Sequence, residues 1–73
     1  MSYSIKVSNL PAFVTEDALW RLFSRCGTVE NVRLFANFTV ERFAVVVFSE
    51  MSAVKKARLL DGVKLADSII KVD

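Results

Sequence analysis

The chain has no histidine, one cysteine, one proline and two glycines, and each shortage excludes something. Without histidine it lacks the commonest general base and the commonest metal ligand, so the usual catalytic triads and zinc-hydrolase sites cannot be assembled. Cys26, standing alone, closes no internal disulfide and builds no thiolate cluster for zinc, and it fits a reducing compartment. There is no Cys-x-x-Cys and no glycine-rich phosphate loop. Acids stand singly except Glu16-Asp17, which a helix start accounts for. We therefore expect no enzyme, no metal and no cofactor. No apolar run approaches the roughly 20 residues that span a bilayer, and the N-terminus lacks a charged region followed by an apolar signal core. The expectation is an intracellular, soluble domain without a membrane role, in which the sequon Asn37-Phe38-Thr39 is a coincidence.

What the chain does have is apolar surface. It has 73 residues, of which 53% are hydrophobic, against a usual figure of roughly 45–50% even with glycine counted. This length makes one small domain that hides only about 60% of its unfolded surface, so we expect a single unit over 1–73 with a core of about 4–73. A net charge of +2 permits an anionic partner without demanding one. The stretch Arg42-Phe43-Ala44-Val45-Val46-Val47-Phe48 is rich in aromatic and β-branched residues and is predicted to be a central strand. Alternation sends Ala44, Val46 and Phe48 to one face and Phe43, Val45 and Val47 to the other. One apolar set packs on helices; the other lies on an open sheet face, where it binds something or is covered.

Before that strand, Ile5-Lys6-Val7-Ser8-Asn9-Leu10 alternates and stops at Pro11, giving a strand with Ile5 and Val7 inward and Lys6 and Ser8 on the open face. Thr15 followed by Glu16-Asp17 starts a helix. Its buried side carries Leu19, Leu22, Phe23 and Cys26, and Gly27 is the expected C-terminal cap. Trp20 flanks that side. Residues 29–35 return to strand, with Val29, Val32 and Leu34 for the core and Arg33 and Phe35 for the open face. The Val29 to Val32 spacing breaks strict alternation, so regular pairing is expected only after Glu30. Residues 36–41 form a hairpin connection whose turn type is unspecified, with Phe38 at its tip either folded back or clamping a ligand. A second helix begins at Ser49-Glu50 as cap and first-turn acid, buries Ala53, Ala57 and Leu60, and ends at Asp61-Gly62. Lys55, Lys56 and Arg58 lie on its solvated side. A last strand, 68–73, turns Ile70 and Val72 inward and Ile69, Lys71 and Asp73 to the open side.

The order strand, helix, strand, strand, helix, strand predicts an α+β, ferredoxin-like fold: a four-stranded antiparallel sheet with two helices on one face. Residues 5–10 and 41–48 then resemble the two signatures, hexamer and octamer, of the RNA-recognition motif family, and Leu19, Leu22, Phe23, Gly27, Ala53, Ala57 and Asp61-Gly62 sit where that family keeps helix-face and turn residues. The resemblance covers nearly the whole chain. It implies a single-stranded RNA-binding module within a longer RNA-processing or splicing-related protein, monomeric in isolation and nuclear more than cytoplasmic.

Carried over residue by residue, the resemblance is incomplete. Phe43 stands at the octamer position that contacts ribose and base, but Lys6 and Val45 replace the two rings that usually stack bases, and Glu41-Arg42 replace a basic residue and glycine. Stacking is worth about 1–3 kcal/mol per base, so two missing rings imply modest affinity. Lys6, Ser8, Arg33, Phe35, Arg42, Phe43, Val45 and Lys71 are the expected RNA-binding set, with positive charge and Phe35 in compensation. The alternative is a protein-interaction or self-association module using the apolar sheet face with Ile69, or the helix side around Trp20.

Overall fold

A strand that is apolar on both faces must be flanked on both edges and covered on at least one side. The computed structural model, which describes residues 2–36 and 42–73, meets that demand for β3 (Arg42–Phe48). It lies between β1 (Tyr3–Ser8) and β2 (Val29–Ala36), antiparallel to both, and β1 pairs in turn with β6 (Lys71–Val72) to complete a four-stranded sheet ordered β2-β3-β1-β6. Two helices, α1 (Glu16–Phe23) and α2 (Met51–Arg58), cover one face, α1 over β2 and α2 over β1 and β3. This is the predicted ferredoxin-like plan.

The core lies between sheet and helices. Ile5, Val7, Ala44, Val46 and Phe48 from the sheet meet Leu19, Phe23, Ala53, Val54 and Ala57 from the helices, all buried. Phe23 and Phe48 meet edge to face with centroids 6.4 Å apart, a favoured aromatic geometry. Cys26 belongs to this core. Burial pushes its thiol up from the ordinary value, with Lys56 pulling the other way, so the thiol stays protonated and is packing rather than chemistry.

Local rules place α1 as expected: the Thr15 hydroxyl accepts from the Ala18 N–H at 3.1 Å, and Glu16 and Asp17 fill the first turn. The odd Val29 to Val32 spacing is a register shift between Val29 and Asn31. The extra residue, Glu30, lets both valines face inward. Three expectations fail because tertiary contacts outrank local preference. Gly27 is not the α1 cap: the helix ends at Phe23 with Ser24 as a right-handed C-cap, and Gly27 instead passes close against the start of α2, so that a Cβ there would run into Ala53 and Glu50. Ser49 does not cap α2. Glu50 occupies that position without a capping bond, and its carboxylate reaches across to accept from the Thr28 N–H at 2.9 Å. The final strand is two pieces, because Ser68–Ile69 (β5) pairs with Lys64–Leu65 (β4) as a separate ribbon before β6 joins the sheet. Ala66 turns that ribbon at φ 56°, a left-handed conformation that costs a residue with a Cβ about 1–2 kcal/mol. The second helix also stops short of Asp61-Gly62: α2 ends at Arg58 with Leu59 as a right-handed C-cap, and Gly62, at φ 85°, lies in the turn that follows, its N–H donating to the Ile70 carbonyl at 2.9 Å. Phe38, Glu41 and the 37–39 sequon lie outside the described residues.

The close approach at Gly27 carries a prediction. Gly27→Ala overpacks the α1–α2 junction and is expected to cost about 1–3 kcal/mol, read as a lowered midpoint in urea denaturation; an unchanged midpoint would mean that Ala53 and Glu50 move aside freely.

Candidate nucleic-acid interface

The face of the sheet without helices is set by register. Ser8 lies opposite Phe43 on one side and Lys71 on the other, and Phe43 lies opposite Phe35, so one row across the sheet reads Phe35, Phe43, Ser8, Lys71. The next row reads Arg33, Val45, Lys6, and it ends at Asp73, which exchanges two backbone hydrogen bonds with Lys6. Seven of the eight sheet residues expected from the sequence therefore share one face. Arg42 does not: it has the strand parity of Ala44, Val46 and Phe48, so its side chain leaves β3 toward the helix side at the strand end, a rim position.

Within these rows the side chains form a connected group. The Phe35 and Phe43 rings stack nearly parallel, with centroids 4.9 Å apart and planes at 17°. Lys6 Nζ lies 4.8 Å from the centre of the Phe43 ring, and the Arg33 guanidinium lies 5.8 Å from that of Phe35. Both distances fall within the range in which a cation is held by a ring quadrupole, about 6 Å. Phe35 remains 41% exposed although stacked. Among the described residues the one ion pair joins Arg21 to Asp17 on the surface of α1, so Lys6, Arg33 and Lys71 meet no carboxylate there and can turn to a polyanion. Val45 and Ser8 are half-buried between these groups and form a shallow floor.

The platform differs in position from the one that the signatures anticipate. With Lys6 and Val45 in place of rings on β1 and β3, the aromatic surface shifts toward β2, an edge strand of the sheet. Of the two alternative surfaces, Trp20 stands on α1 in the helix layer, 40% exposed, while Ile69, expected on the open sheet face, lies instead in the β4–β5 ribbon, 58% exposed. The sequence reading passed over Phe13, which is 94% exposed. The signal was available, since an aromatic residue between the strand-ending Pro11 and the capping Thr15 has no helical or strand period to bury it.

A two-helix, four-stranded fold with a basic and aromatic open face defines a class of binding domains. Residues 5–71 match the RNA recognition motif, and the chain belongs to that family. It is 36% identical over 66 residues to nucleolar protein 12 of Eremothecium gossypii, a match covering 86% of this chain and 16% of that protein; the chain thus spans about a sixth of that relative's length. Among solved structures it is similar to the third RNA recognition motif of Mip6, at 25% identity and a TM-score of 0.88 over 96% of this chain and 88% of that one. The RNA recognition motif of Rna15, solved with bound GU RNA, matches at 22% identity and a TM-score of 0.83 over 96% of this chain and 79% of that one, a likeness of fold.

Proposed function

We propose that the domain binds single-stranded RNA across the open face of its sheet, as one module of a longer RNA-processing protein. The observation that carries this reading is the group Lys6, Phe43, Phe35, Arg33: two stacked rings with a cation against each. A base stacks on the exposed part of this pair, and the cations, with Lys71 at the far end of the Phe43 row, take phosphates or base edges. Val45 and Ser8 form the floor, and Arg42 acts from the rim. Affinity is modest, because the β1 and β3 positions occupied by Lys6 and Val45 offer no ring. A nuclear address is supported by the name of the nucleolar relative.

The test is to follow amide shifts of the labelled domain as short single-stranded RNA of random sequence is added at low and then at moderate salt. Shifts are expected at Lys6, Arg33, Phe43 and Lys71. With about three phosphates neutralised, at about 0.7 per phosphate, the slope of log K against log salt is expected near −2. If the folded domain shows no shifts at either salt, the face does not bind RNA and this reading falls in favour of the protein-interaction alternative.

A further inference from the structure

A second concave surface lies at the end of the domain where β1 runs out. Pro11, Phe13 and Val14 form one wall, Ala18 of α1 the floor, and the ribbon turn Leu65 to Asp67 the other wall, around a groove of about 360 Å³. That volume is at the lower end for ligand clefts, about 300–1,000 Å³, and has room for one or two large side chains. The walls are anchored: Val14 and Leu65 pack against the core, the Val14 N–H donates to the Pro11 carbonyl, and the Asn9 side-chain amide holds the ribbon through the Ile69 carbonyl at 2.7 Å. Phe13, by contrast, is almost wholly in solvent. The groove is also separate from the sheet rows, because it contains none of their residues.

Charge decides what kind of occupant fits. The one charged side chain in the lining is Asp67, whose contact among the described residues is a long hydrogen bond from the neighbouring Ser68 hydroxyl, 3.5 Å, and no cation pairs with it there. A nucleotide entering the groove would bring its phosphate toward this carboxylate. An apolar side chain followed by a lysine or arginine meets both features favourably. We propose that this groove docks a short segment of a partner protein, a leucine or phenylalanine with a basic residue close after it, the apolar side chain lying under Phe13 and the cation against Asp67. The site is independent of the RNA reading, and occupying it leaves the sheet face open.

The test uses the whole chain and an eight-residue synthetic peptide, glycine-serine-leucine-phenylalanine-lysine-lysine-serine-glycine, with two control peptides that carry glutamate for lysine or alanine for both apolar residues. Addition of the first peptide is expected to shift the amides of Val14, Ala18, Leu65 and Ala66, with affinity at least about tenfold above either control. Phe13→Ala and Asp67→Lys, both at exposed positions, each lower that affinity by about tenfold or more, Asp67→Lys gains affinity for the glutamate peptide, and Phe43→Ala changes neither. No shift with any peptide up to about millimolar concentration overturns the proposal. So does equal binding of the glutamate peptide, and so does displacement of the same amides by short RNA, which would make the groove a nucleotide site.

Discussion

Replacing Phe35 and Phe43 together by alanine is expected to weaken binding of short single-stranded RNA by about 2–6 kcal/mol, at about 1–3 per stacked base. That is a loss of about 30-fold to about 10⁴-fold. The fold should survive, since both rings sit on the face opposite the helices and neither belongs to the buried cluster. The two single substitutions are not expected to add up to the double. The rings touch each other, so removing one also frees its neighbour and the cation beside it, and coupling energies of about 0.5–3 kcal/mol are usual between residues in contact. Fluorescence anisotropy on the wild type, both singles and the double, with a thermal melt of each, measures the whole cycle. An unchanged affinity in a folded double variant would remove the ring pair from the binding site.

Five residues further along the same strand, the same kind of substitution has a different consequence. Phe48→Ala is expected to cost about 3–5 kcal/mol of stability, because Phe48 is fully buried and meets Phe23 edge to face, and its loss leaves a cavity under α1. Small domains hold about 5–15 kcal/mol in total, so much of the protein's margin goes with one ring. Urea denaturation followed by circular dichroism reads this directly, and a loss below about 1 kcal/mol would mean that the core closes over the gap. Any fall in RNA affinity of this variant should track its unfolded fraction, whereas that of Phe43→Ala should not.

The contrast between these phenylalanines was legible in the sequence, because period-two alternation assigns Phe43 and Phe48 to opposite faces as soon as residues 42–48 are read as a strand. Thr15 was legible for a similar reason: a capping hydroxyl acts within three residues. What was not legible depends on distance along the chain. Glu50 suits a helix start by local chemistry, yet it serves Thr28, 22 residues away. Gly27 reads as a cap until α2 is brought beside it. The β4–β5 ribbon has two residues per strand, too few for any period to show. At the candidate site, the sequence could put Phe35 and Phe43 on one face but not opposite each other. Between them the sequence offers neither glycine nor proline to name a turn type and so to set the register.

Two of the carboxylates that the sequence placed at helix ends, Glu16 and Asp61, reach the edges of the sheet. Glu16 accepts from the Leu34 N–H at 2.8 Å on edge strand β2, and Asp61 accepts from the Val72 N–H at 2.9 Å on edge strand β6. Each is a side chain of the helix layer that occupies a donor an added strand would seek. Sheet edges left open would invite two copies of such a domain to pair strand to strand into a continuous ribbon. With a charged oxygen seated at each border, an added strand would have to displace a carboxylate before it could pair, so both edges of the sheet are guarded from within the same chain.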